Sequence, residues 1–267
     1  MSSISLAGFD DPTRHAEISD LIRRVSTNPA DVRMSMLGDL DLSWVRTVLD
    51  LGCGFGFMTD AIAERISPEA EICGLDACAA NERPYLERIG RTGRAVRFRA
   101  SRIEQHLDWP DRSFDLVIAS YSLYFFPEIV PEIARVLAPE GLFFTITHTE
   151  QFCRDLLRVA GVYELHNRLL DLIRGFSAES AEQRLVPWFG KIERRDYRNS
   201  LLFEIQHQEE LVNYIRFKLP LITPGAGFDM ERVGVIENAA RTELIEHGRV
   251  ALEKNDAAFR CRSPRCR

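Results

Sequence analysis

Residues 48–56 read Val-Leu-Asp-Leu-Gly-Cys-Gly-Phe-Gly, and few architectures accommodate such a run. An apolar stretch ends in Asp50-Leu51, three glycines alternate with other residues, and Phe57 to Glu64 then has a helical pattern. Glycine lacks a Cβ, so the chain can turn sharply off a strand and a ligand can lie against bare backbone. The helix that follows aims its unpaired N–H groups and the positive end of its dipole at whatever occupies the turn. A nucleotide-like cofactor suits such a site, although a strand-to-helix turn of this kind also serves a purely structural role in many α/β proteins.

The stretch downstream narrows the choice. Ala70 to Asp76 is predicted as a second strand with an acid at its C-terminal end, 20 residues past Gly56. That is where a nucleotide-binding fold needs a carboxylate for the ribose hydroxyls. A helix is predicted near Asn81–Ile89, a third strand over Ala95–Arg99, and a fourth over Phe114–Ser120, apolar enough for the interior of a parallel sheet. Tyr121 to Phe126 is an aromatic-rich loop, Glu128 to Leu137 a helix, Pro139-Glu140-Gly141 a turn, and Leu142–Thr147 a fifth strand. Strands alternating with helices predict a doubly wound α/β sheet with ligands at the strands' C-terminal ends.

Composition excludes several classes. With 45% hydrophobic residues the 267-residue chain can bury a large core. A net charge of −6 offers no broad basic face for a nucleic-acid backbone, so no nucleic-acid partner is expected. No run of 18 apolar residues predicts a membrane span, and the first residues lack a secretion-signal pattern. The six cysteines form no CxxC pair, so neither a metal site nor a disulfide framework is expected, and a cytoplasmic setting follows.

In order along the chain, VLDLGCGFG (48–56), Asp76, SFDLVIAS (113–120) and ARVLAPEGLF (134–143) resemble the class I S-adenosylmethionine-dependent methyltransferases of small-molecule type. A dehydrogenase turn is usually spaced G-x-G-x-x-G, unlike this one. The resemblance implies a Rossmann-like seven-stranded sheet with strand seven antiparallel, helices on both faces, and S-adenosylmethionine as cofactor. It also implies roles. Gly52, Cys53 and Gly54 would meet the methionine part, with Asp50 near its ammonium group. Asp76 would hold the ribose hydroxyls, with Ala77 beside the adenine. Ser101 and Arg102 stand where the family often has an aspartate for the adenine amino group. Ser120 and Tyr121 would lie near the sulfonium.

The remainder of the chain is divided by the same reading. Residues 1–45 form a helical lid, beginning with a helix capped by Asp11-Pro12, and its Arg14, His15 and Arg33 are either carboxylate-binding or solvated. Residues 46–148 are the cofactor-binding core. Residues 149–190 are a helical insertion carrying substrate-binding elements, including a long helix over Gln151–Leu170. Residues 191–267 return to the sheet, with strand six over Lys191–Phe203, a helix over Gln208–Lys218 stopped by Pro220, a linker at Pro224–Gly227, a helix over Met230–Glu253 and a last strand over Ala257–Cys261. Arg260, Arg262, Arg265 and Arg267 are read as a solvated basic tail.

Methyl transfer from a sulfonium is an in-line displacement, so protein groups position the acceptor and remove a proton where one must leave. His148, just past the fifth strand, is the candidate catalytic base; its other reading is a hydrogen-bonding cap of that turn. Tyr121, Tyr124, Phe125, Phe126 and Phe152 suit either an aromatic wall or the core. Ser-Tyr-Ser-Leu after strand four lacks the Asn/Asp-Pro-Pro-Tyr/Phe pattern of amine-methylating nucleic-acid enzymes. A small organic acceptor, methylated on oxygen, nitrogen or carbon, is therefore the leading expectation. The alternatives are an RNA or protein acceptor, and a cofactor-binding module without turnover.

Overall fold

Strand β1 (Thr47–Leu51) is buried from Val48 onward and pairs in parallel on both sides, Val48 opposite Ile72 of β2 (Glu71–Asp76) and opposite Leu116 of β4 (Phe114–Ser120). The computed structural model describes residues 11–162, 168–222 and 230–265. Beyond β2 lies β3 (Ala95–Ala100), with exposed residues that suit an edge. Beyond β4 come β5 (Leu137–His148), β9 (Asp256–Pro264) and β6 (Phe189–Tyr197), giving the order β3-β2-β1-β4-β5-β9-β6. β9 runs antiparallel to both of its neighbours, β5 and β6, as expected for the last strand of the seven. The strand order reverses direction between β1 and β4, the point at which such sheets open a crevice for ligands.

The chain divides into two compact units. The larger comprises 30–148, 175–197 and 256–267 and holds the seven-stranded sheet. Helices α2 (Val32–Leu37), α3 (Phe57–Ala63), α4 (Glu82–Gly90), α5 (Val130–Val136) and α8 (Ala181–Leu185) belong to it. One face of its core joins Val48, Ile72, Leu116, Phe144 and Ile146 to Met58, Ile62, Tyr85 and Ile89 from the helices. The smaller unit comprises 1–29, 149–174 and 198–255. In it α1 (Pro12–Val25), α6 (Glu150–Val159), α7 (Arg168–Arg174), α9 (Gln208–Ile222) and α10 (Met230–His247) accompany a two-stranded sheet of β7 (Ser200–Glu204) and β8 (Arg249–Glu253). Asp11 caps α1 by accepting from the Thr13 and Arg14 amides.

Several expected elements differ, each for a local reason. Lys191–Phe203 is not one strand: β6 ends at Tyr197, and Asn199 turns the chain, its Oδ1 accepting from the Asn28 amide, before β7 starts a separate sheet. The helix over Gln151–Leu170 ends at Val159, where Gly161 takes a left-handed conformation at φ 68°. Pro220 does not stop α9, which runs to Ile222 with the proline in its last turn. The Met230–Glu253 helix ends at His247; Gly248, at φ 71°, releases the chain into β8. Pro139-Glu140-Gly141 is a register shift inside β5, absorbed between the pairs Phe114–Leu137 and Leu116–Leu142. Residues 1–10, the Pro224–Gly227 linker and Arg267 lie outside the described residues.

The supposed basic tail is partly core. Arg260 is 5% exposed, donates to the Met36 and Leu37 carbonyls at 3.0 and 2.8 Å, and pairs with Glu193 at 3.0 Å. It binds the end of α2 to the sheet, and those partners offset the desolvation of its charge.

Candidate active site

The glycine turn after β1 adopts the conformations that its sequence requires. Gly52, Gly54 and Gly56 have φ of 68°, 52° and 83°, in the left-handed region where a Cβ costs about 1–2 kcal/mol. At Gly52 a Cβ would also lie 2.5 Å from the Ser122 Cβ, so the close approach of β4's end demands glycine there. At Gly54 a Cβ would meet nothing within 4 Å. The Gly52 and Cys53 amides donate to the Leu75 carbonyl at 2.8 and 3.2 Å, and the Gly54 amide donates to Asp76 Oδ2 at 2.8 Å. The turn is thus bonded to the C-terminal end of β2 at three successive residues.

Asp76 is the hub of this region. Besides Gly54, it accepts from the Cys78 amide at 2.8 Å and from Asn81 Nδ2 at 3.3 Å, both on Oδ1. Ala77 beside it is exposed. The Ser101 amide donates to the Asp76 carbonyl at 2.9 Å, which brings Ser101 next to this corner; Arg102 is exposed. Ser122 Oγ donates to the Leu51 carbonyl at 2.6 Å and ties the end of β4 to the start of the turn.

Asp50 lies behind the turn and is almost wholly buried. Its Oδ2 accepts from Thr59 on α3, while Oδ1 is buried without a partner among the described residues. Burial pushes its carboxyl up to about 7, helped by the nearby Asp76 charge and opposed by the Thr59 hydroxyl. Cys53 contributes backbone to the turn while its side chain packs inward toward Gly74, and burial raises its thiol well above the ordinary value. It is therefore no nucleophile.

A second cluster stands at the ends of β4, β5 and β9. Tyr121 follows β4 with φ 54°, an uncommon conformation for an aromatic residue, and its amide donates to the Ile146 carbonyl. Its ring stacks on His148 with centroids 4.6 Å apart and planes at 26°, and Tyr124 lies 6.1 Å from the same imidazole. His148 Nδ1 is 2.7 Å from Asp256 Oδ1, and the Tyr121 hydroxyl donates to Asp256 Oδ2 at 2.8 Å. Burial and the Asp256 charge raise the Tyr121 hydroxyl well above its ordinary value. The 175–190 segment is bonded here too: Thr147 donates to the Phe176 carbonyl, and the Ala178 amide to the His148 carbonyl. Ser120, just before Tyr121, has a buried Oγ without a partner among the described residues.

Phe152, Arg14 and His15 belong to the smaller unit and Arg33 to the larger. The Lys218 and Lys254 ammonium groups lie 5.9 and 5.4 Å from the Phe152 ring centre. In the same unit Arg14 and His15 meet Phe217. Arg33, in the larger unit, is held by Asp31 at 2.7 Å. The residues missed from sequence are Thr59, Asn81, Ser122 and Asp256. Only the acid opening the last strand offered any signal, and it stands 108 positions from His148. Among the described residues no cluster could hold a metal ion and no helix is long and apolar enough to cross a membrane.

A family model described as a methyltransferase domain matches residues 48–141, which span β1 through the start of β5 and so include the cradle. The matched stretch is a methyltransferase domain. The chain is 33% identical over 120 residues to a trans-aconitate 2-methyltransferase of Methylobacterium radiotolerans, covering 43% of this chain and 42% of that one. It is 31% identical over 105 residues to a ubiquinone biosynthesis O-methyltransferase of Idiomarina loihiensis, covering 38% and 42%. The matched stretches thus span about two fifths of these relatives. The crystal structure of a putative methyltransferase from Bacillus halodurans shares the fold at a TM-score of 0.55 and 13% identity, covering 94% of this chain and all of that one. The YcgJ protein of Bacillus subtilis shares it at 0.53 and 16%, covering 93% and 98%.

Proposed function

We propose that this protein transfers a methyl group from S-adenosylmethionine to a small organic acceptor. The observation that carries the reading is the cross-linked cradle, in which three left-handed glycines meet Asp76 at the point where the strand order reverses. Its residues fit the cofactor. Gly54 leaves bare backbone where a side chain would otherwise stand. Asp76 makes three hydrogen bonds, and a carboxylate has about four acceptor sites, so capacity for a ribose hydroxyl is left. Gly52, Cys53 and Gly54 would border the methionine part, Ala77, Ser101 and Arg102 the adenine, and Ser120 with Tyr121 the sulfonium. Asp50, from behind the turn, would add negative potential favourable to the ammonium group.

S-adenosylmethionine, when bound, supplies a methyl carbon made electrophilic by the sulfonium. The chain's own residues then orient an acceptor and take its proton, with His148 as the candidate base. The segments at 1–45 and 149–190 are proposed as the acceptor-recognising parts of the chain. A small acceptor is supported by the net charge of −6 and by relatives named for small-molecule methylation. Calorimetric titration with S-adenosylmethionine and S-adenosylhomocysteine tests the reading. Micromolar binding of both is expected, and binding of neither would overturn it.

A further inference from the structure

We infer that Asp50 carries a proton in the free protein and releases it when the amino-acid end of the cofactor binds, so that the cradle selects a cationic amine and its affinity is controlled by pH. The inference rests on the methyl-transfer reading above and adds a control to its cofactor site.

A carboxylate taken out of water stays ionised only where a cation or several hydrogen-bond donors hold its charge. Asp50 has little of either. It is 2% exposed, Oδ2 accepts from the Thr59 hydroxyl, and Oδ1 is buried without a partner among the described residues. Its backbone is locked into two ladders, opposite Gly74 of β2 and Ile118 of β4, which keeps the carboxyl behind the glycine turn.

The titratable groups gathered around it are all acids. Asp76 closes β2 and is bonded to the turn at Gly54. Cys53 stands in the turn, Cys73 on β2 and Tyr85 on α4, and the charge of Asp50 raises the value of each. From α3 comes the Thr59 hydroxyl and from β4 the apolar Ile118, neither of which titrates. Among the described residues no basic group pairs with Asp50. Burial therefore keeps its proton in place up to about pH 7, with help from the Asp76 charge and against the Thr59 bond.

The ligand brings the charge that the chain lacks. An α-amino group titrates at about 7.7–8.0, so it is cationic at pH 6. Beside the glycine turn its attraction for Asp50 acts through a region of low dielectric and favours the carboxylate. The carboxyl O–H bond breaks, its electron pair stays on oxygen, and the proton passes to solvent. The sign follows from linkage. Below about pH 7 binding displaces a proton, so affinity rises with pH, by up to roughly tenfold from pH 6 to 7.

The test is calorimetry of the full chain with S-adenosylhomocysteine at pH 6, repeated in buffers of different ionisation enthalpy to count the protons released. The wild type is expected to release close to one. Asp50→Asn should release none, and its affinity should vary little from pH 5.5 to 7. 5′-Methylthioadenosine, which keeps the nucleoside and lacks the amine, should bind the wild type without releasing a proton. Thr59→Val provides a second variant that keeps Asp50 and loses the bond favouring its ionised form; it should release more than the wild type at pH 7. Binding of S-adenosylhomocysteine without proton release, or equal release by Asp50→Asn, would overturn the inference. Equal release with 5′-methylthioadenosine, or by Thr59→Val and wild type at pH 7, would do the same. Binding of neither compound by the wild type would sink the methyl-transfer reading itself, a result distinct from binding without proton release.

Discussion

Burial pushes the Asp50 carboxyl up to about 7, against an ordinary value of 3.8, and this makes one residue a source of pH-dependent stability. Between those two values the folded chain keeps a proton that the unfolded chain has released. Its effect is therefore most favourable below about pH 4 and is lost as pH rises through about 7, at roughly 1.4 kcal/mol per pH step of one. Asp50→Asn keeps an acceptor for Thr59 but carries no charge, so its melting temperature should vary less with pH from 5 to 8 than that of the wild type. Parallel melting curves for the two proteins would assign the titration to another group. Asp76 calls for a different expectation. Asp76→Ala removes a charged acceptor from the proposed ribose site, and each such bond contributes about 1.5–3 kcal/mol. S-adenosylmethionine affinity by calorimetry should fall roughly tenfold or more, and unchanged affinity would contradict the assignment.

At the scale of the element, the glycine turn separates stability from binding. Gly52→Ala would drive a Cβ to 2.5 Å from Ser122 at φ 68°, so strain and overlap together should cost about 2–4 kcal/mol in a denaturant titration. Gly54→Ala meets open space and should cost only about 1 kcal/mol of backbone strain, yet weaken the cofactor, whose approach to bare backbone it obstructs. Equal stability losses for the two variants would mean that the close approach of Ser122 is not what requires glycine. The contrast also marks how much the sequence revealed. Gly52 to Gly56, Asp76 and β4 were legible because a strand end, a turn and the next helix interact within a few residues of one another. Asp256 was not, because its partners Tyr121 and His148 stand at the ends of β4 and β5, more than a hundred positions away, and no local pattern marks such a pairing. Arg260 was misread for the same reason, since the carbonyls that hold it belong to α2. The boundaries of α10 and β7 were missed because Gly248 and Asn199 each stop an element within a pattern that otherwise continues.

For the whole molecule, the two units are each assembled from three separate stretches of chain, so no single truncation removes one and leaves the other intact. The cradle and the Tyr121–His148–Asp256 cluster lie in the larger unit, on the side of the sheet where β1, β2, β4 and β5 end. Cofactor binding should therefore register as stabilisation of the intact chain. At a cofactor concentration about one hundred times the dissociation constant, the gain is about 2.7 kcal/mol. For a chain of this length, at about 2–4 °C per kcal/mol, that corresponds to a rise of roughly 5–10 °C in melting temperature. S-adenosylhomocysteine should give a rise of similar size, and NAD, which needs a differently spaced glycine turn, should give none. His148→Ala should keep the cofactor-induced rise, because His148 belongs to the second cluster and not to the cradle. Loss of the rise in that variant would join the two clusters into one binding site.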